Sequence, residues 1–244
     1  MTIQHLTNLE ILYGLFSLLA VAVSLFIGLK ILLRYFMVHR YVFVTVGLSW
    51  IFMFSGWWGS AFSFLFLLFS DYEFSTFQYL FIANIFIPIA LLLWIYSFCH
   101  LVYPHLKKLM VGIYGTICIL FDVLIIFFLF TNPDLVGVIK GTFFMQPGLL
   151  VIAFLVFALL SALITGVIFS RKSIKSEEAK IRWQGWFLLS AFIIFILAAV
   201  IDALLPISPL IIVIVRILLA VSSISFYLGF HLPEKLASIL AKKK

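Results

Sequence analysis

Three ionisable residues, Asp122, Asp202 and Arg216, each fall inside an apolar run long enough to cross a bilayer. A charge at that depth is costly and calls for a partner or a cavity, so each is a functional candidate. Arg216 is seven residues past Pro209, which at the helical rise puts it roughly 10 Å below the end of its run. Asp202 is four residues before Pro206, roughly 6 Å below the end of the preceding run. A very short gap joins these two runs, so they are adjacent antiparallel helices, and an Arg side chain spans the difference in depth. The spacing predicts an Arg216–Asp202 ion pair.

Asp122 lies nine residues from Thr131, roughly 13 Å deep on the fourth run, close to the level of Arg216. It is either a second acceptor for Arg216 or a protonated, neutral acid. Asn84 adds a polar group at roughly 10 Å on the third run. Pro88, four residues later, lacks the N–H that would bond the Asn84 carbonyl and frees it. Ser60 and Ser63 lie in the same half of the second run. Depth alone therefore gathers Ser60, Asn84, Asp122, Asp202 and Arg216 into one polar cluster. One reading is a ligand pocket in which Arg216 anchors a polar or anionic group. The other is an interhelical pair that fixes helices six and seven. In Ser55-Gly56-Trp57-Trp58-Gly59-Ser60, small residues four apart permit close helix approach, and Trp57, Trp58 and Trp94 either line a pocket or pack.

The elements that position these residues follow from composition. The chain is 66% hydrophobic and 10% charged, against about 25% charged in soluble domains. The runs exceed 18 residues and lack strand-like alternation, which predicts helices. Seven spans are expected, at about 9–33, 41–70, 77–103, 108–131, 147–171, 181–205 and 208–230. The fold class is an all-α polytopic membrane protein: a seven-helix domain over 1–232 and an amphipathic basic tail over 233–244. Fourteen of the sixteen Lys and Arg residues lie beside alternate gaps, and only Lys140 and Arg216 break the pattern. Because Lys and Arg stay cytoplasmic, the N-terminus is expected outside and the C-terminus inside the cell membrane.

The first Lys follows the first span, and no cleavable signal peptide is expected. A net charge of +7 dispersed over loops points to anionic lipid headgroups and not to nucleic acid. After span seven, Pro233 suits the start of a short surface helix with Leu236, Ile239 and Leu240 on one face, and Lys242–Lys244 meet headgroups. Trp183 and Trp186 read as interfacial anchors. Cys99 and Cys118 lie inside spans and read as packing residues.

Several chemistries lack their residues. Span seven has no Lys for a retinal Schiff base, and only His100 of five His lies within a span. No H-E-x-x-H helix, metal-ligand spacing, aligned nucleophile and base, or phosphate-binding Gly loop is visible. No enzyme activity, metal or cofactor is expected. No three-plus-three repeat is evident, which weakens a transporter reading.

Seven spans, an outside N-terminus and a surface helix after span seven look like a seven-helix receptor. Span three ends Ser97-Phe98-Cys99-His100-Leu101-Val102-Tyr103 and span seven Ser225-Phe226-Tyr227-Leu228-Gly229-Phe230, so the animal G-protein-coupled switch motifs are missing. Over about 180–236, Lys180-Ile181-Arg182-Trp183, Asp202, Arg216 and Tyr227-Leu228-Gly229-Phe230-His231-Leu232-Pro233-Glu234 are similar to prokaryotic, archaeal-type seven-helix sensor modules. That resemblance implies a membrane module coupled to an output domain. Only a Lys-rich tail follows here, so a separate cytoplasmic signalling partner is expected. The resulting expectation is a receptor or sensor that binds a small polar or anionic ligand through Arg216, Asp202, Asp122, Asn84 and Ser60. The alternatives are an accessory subunit of a membrane complex and, third, a small transporter or channel in which Asp122 takes up a proton.

Overall fold

The computed structural model describes residues 6–204 and 208–241; Pro206, Ile207 and Lys242–Lys244 lie outside them. Among the described residues, seven helical segments are long and apolar enough to cross a membrane: Asn8–Val38, Val42–Ser70, Thr76–Val102, Pro104–Thr131, Leu149–Ile174, Ala179–Ala203 and Pro209–Phe230. The first comprises α1 (Asn8–Leu33) and the short α2 (Tyr35–Val38). The second comprises α3 (Val42–Met53) and α4 (Trp58–Ser70), and the third α5 (Thr76–Asn84) and α6 (Ile87–Val102). Spans four to seven contain α7 (Lys107–Thr131), α8 (Leu149–Ile174), α9 (Ala179–Leu204) and α10 (Pro209–Phe230). A final helix, α11 (Glu234–Ala241), packs on α9 and buries Ala237.

Spans two and three are each broken well inside their length, span three at the proline that interrupts its sequence. Span three yields where Pro88 denies the backbone an N–H, and α6 restarts with that proline in its first turn. Span two passes through a tight 3-10 turn, Ser55–Trp57, at its Ser-Gly pair. Gly56 and Ser55 have low helix propensity, and a mid-helix 3-10 segment marks a strained or hinging stretch. A further departure from an all-helical chain follows α7. A two-stranded antiparallel hairpin, β1 (Gly137–Lys140) and β2 (Phe144–Pro147), lies over one end of the bundle. Its connection uses Gly141 at φ 68°, a conformation costly for a residue with a side chain.

Spans one and two cross at backbone contact. A Cβ on Gly47 would lie 2.7 Å from the Gly28 carbonyl oxygen, so small residues set this approach. The core is aromatic: Trp50 stacks on Phe226 at 3.8 Å, and Trp94 packs against Phe192. The indole N–H groups of Trp50 and Trp94 donate to Ser223 and Thr165, so these tryptophans bury without orphaned donors.

The basic clusters of the described residues share one end, the end opposite the hairpin. There Arg34 donates to the Phe230 carbonyl and caps α10, Lys172 donates to the Val102 carbonyl, and Lys180 pairs with Glu234. These bonds tie spans one to seven, five to three, and six to α11.

Candidate functional site

Arg216 sits in the hairpin half of α10 and is fully buried. Its Nη1 donates to Asp202 Oδ1 of α9 at 3.1 Å, the ion pair expected from helix depth. Trp57, at the end of the 3-10 turn in span two, donates from Nε1 to Asp202 Oδ2 at 2.7 Å, so both carboxylate oxygens are engaged. Arg216 Nε donates to Ser17 of α1 at 3.3 Å. The guanidinium also lies over the rings of Tyr13 and Trp57, 5.1 and 5.6 Å from their centroids. Tyr13, Ser17 and Trp57 were not foreseen as partners. Tyr13 and Ser17 are four residues apart on one helix face, a spacing that carries the signal. Arg216 Nη2 has no hydrogen-bond partner among the described residues.

Ser60 and Asn84 belong to a neighbouring set under the hairpin. Tyr79 donates to the Phe143 carbonyl at 2.7 Å and contacts Ser60 Oγ at 2.7 Å. With its one proton directed at Phe143, the Tyr79 oxygen accepts from Ser60. Gly59 makes room for this ring, because a Cβ there would lie 2.8 Å from it. Asn84 Nδ2 donates to the Leu80 carbonyl at 2.7 Å, which fixes the amide orientation and leaves Oδ1 buried without a partner. The hairpin is pinned from three sides. Thr142 donates twice to Glu10 of α1, Phe143 packs edge-on to Phe64 of α4, and Tyr79 of α5 holds its carbonyl.

Asp122 is not brought to this cluster. Span four packs on span three, away from span seven, and Asp122 forms no hydrogen bond or ion pair with Arg216. One of its oxygens, Oδ1, is buried without a partner beside Cys118 on the same helix. Its place in the bundle separates it from the others.

Between Asp202, Asn84 and the underside of the hairpin lies a cavity of about 330 Å3. Ser60, Tyr79, Trp57 and Tyr13 border it, while Arg216 and Asp122 do not. Its walls are apolar, formed by residues such as Ile87, Leu91, Leu159 and Phe195, and Phe144–Pro147 of the hairpin close one side. Gly56 contributes space directly: a Cβ there would meet nothing within 4 Å. The volume and the few convergent polar groups have the character of a small-molecule site. Trp57 both packs and lines the cavity, whereas Trp94 belongs to the core.

No family model, curated protein or solved structure matches this chain.

Proposed function

We propose that this chain is a non-enzymatic seven-helix receptor or sensor of the cell membrane, with the hairpin end outside and the basic end in the cytoplasm. The orientation rests on the segregation of Lys and Arg to one end. The observation that carries the function is the cavity whose polar end is Asp202, because the same carboxylate holds Arg216 of the next span. A ligand that competes for Asp202 loosens the tie between α9 and α10. These two helices pack along their length, with Gly229 of α10 against Leu188 of α9 near the basic end. The start of α9 in turn holds α11 through Lys180 and Glu234. A shift of α9 against α10 therefore reaches the basic end, where the Arg171–Arg182 segment and α11 meet a separate signalling partner.

Hydrogen–deuterium exchange on the protein in lipid nanodiscs tests this coupling without a ligand. Asp202→Asn is expected to speed exchange in α11 and in 176–182 as well as around the cavity. Changes confined to the hairpin half would leave the ion pair as a local structural tie and favour an accessory subunit of a membrane complex instead.

A further inference from the structure

The cavity's polar groups restrict what it takes. Asn84 Oδ1 borders it as an unpaired acceptor, while of the two Nδ2 protons one goes to the Leu80 carbonyl and the other faces the Met145 sulfur. Asp202 is an acceptor with residual lone-pair capacity and a side chain 19% exposed. Of the donors that line the cavity, Trp57 is directed to Asp202, Tyr79 to Phe143 and Ser60 to Tyr79, and the unpartnered Nη2 of Arg216 belongs to a residue outside the lining. Tyr13 lines the cavity with its ring against the Arg216 guanidinium. Gln146 supplies a further amide only at the exposed rim. Among the described residues no basic side chain lines the cavity. The charge of Arg216 is matched by Asp202 and screened from the cavity by the Trp57 and Tyr13 rings.

The route in is equally restricted. Phe144, Met145 and Pro147 cover the hairpin side, and the hairpin is held to spans one, two and three. On the flank between α8 and α9, Ile152, Val156 and Val200 line the cavity and are also exposed on the molecule's surface. That flank is apolar and faces lipid in a bilayer. Met145 lies against Asn84, its sulfur 3.9 Å from Nδ2, and its flexible thioether can yield to an arriving head group.

The geometry points to an apolar, chain-like ligand with an uncharged or cationic hydrogen-bond-donating head, an alcohol or amine, that enters from the bilayer between α8 and α9. Its head donates to Asp202 and Asn84, and its body lies along the apolar wall. Anionic amphiphiles are rejected, because their heads would meet a carboxylate and an unpaired amide oxygen with no cation to receive them. This inference rests on the receptor reading of the same cavity and narrows its ligand from the polar or anionic molecule expected from Arg216.

Dodecanol, dodecylamine and dodecanoic acid, each brominated beside the head group, serve as probes in nanodiscs. The readout is the part of the tryptophan quenching that Trp57→Phe removes. Dodecanol and dodecylamine are expected to quench saturably, with dodecanoic acid at least about tenfold weaker. Asn84→Leu is expected to weaken dodecanol about fivefold or more, and Val200→Trp, on the exposed flank, to slow entry of both good probes. Dodecanoic acid binding as tightly as the other two would overturn the head-group assignment. Quenching that follows bilayer partition alone, or entry unaffected by Val200→Trp, would overturn the site or the lateral route. None of these results bears on exchange in Asp202→Asn, so the receptor reading stands or falls separately.

Discussion

Removing Asp202 should destabilise the protein more than removing Arg216, and removing both should cost less than the two changes summed. In Asp202→Leu the fully buried Arg216 loses its counter-ion, keeps Ser17 at 3.3 Å, and still has no partner for Nη2. Breaking a buried pair costs about 3–5 kcal/mol, and partial exposure of Asp202 argues for the lower end, about 3. The Trp57 indole N–H, 2.7 Å from Asp202 Oδ2, is orphaned at the same time and adds about 1 kcal/mol. The total is about 4 kcal/mol. Arg216→Met leaves a carboxylate that still accepts from Trp57 and borders a cavity that can hydrate or protonate it, so the cost falls to about 2 kcal/mol. The double variant removes both charges and leaves mainly the orphaned indole and imperfect packing, no more than about 3 kcal/mol. The cycle then shows about 3 kcal/mol of coupling. SDS-driven unfolding of the purified protein in lipid–detergent micelles measures all four corners. Two small, additive single effects, each within about 1 kcal/mol, would refute the reasoning, since they would mean that neither charge depends on the other.

Three further outcomes are expected. Tyr79→Phe orphans the Phe143 carbonyl and a Ser60 contact; it should cost about 1–3 kcal/mol and raise proteolysis and amide exchange across 137–147 selectively. Gly47→Ala places a methyl against the Gly28 carbonyl and the Leu32 backbone nitrogen, 2.7 and 2.8 Å away; overpacking at backbone should cost about 1–3 kcal/mol and lower the melting temperature, while Gly56→Ala, facing open space, should not. The docking of α11 should weaken in acid. Burial, then the nearby Arg34, Lys180 and Lys30, hold His231 below its ordinary 6.5 against the opposing pull of Glu234. A hydrogen bond from Lys180, with its charge, holds Glu234 below 4.5. Both groups bind protons less readily when docked, so docking is complete above 6.5, weakens as pH falls below it through His231, and loses the Glu234 contribution below 4.5. Amide exchange in α11 against pH follows this directly, and a flat profile down to 4.5 would contradict it.

The spans were legible because bilayer thickness and backbone satisfaction leave one solution for apolar runs of this length. The Arg216–Asp202 pair was legible because counting residues gives depth, and a short connection makes spans six and seven neighbours. Asp122 shows where counting stops. Depth says nothing about rotation or about which helices are adjacent, and span four turns out to pack on span three. The break at Ser55–Trp57 and the hairpin were hidden for related reasons. The Ser-Gly pair lowers helix propensity without by itself dictating a break, and the hairpin is held by tertiary contacts such as Glu10 with Thr142 that a local pattern does not contain. The four-residue strands are also too short for alternation to show. The cavity was the least legible feature, because it is defined by what Gly56, Ala83 and Ala199 do not fill.

The most direct test is a density map, at side-chain resolution, of the protein extracted from its native membrane into nanodiscs. The account predicts elongated density in the cavity, with one end within hydrogen-bond distance of Asp202 and Asn84 and the other towards the gap between α8 and α9. A cavity closed by repacked side chains, or an anionic molecule bound directly to Arg216, would contradict it.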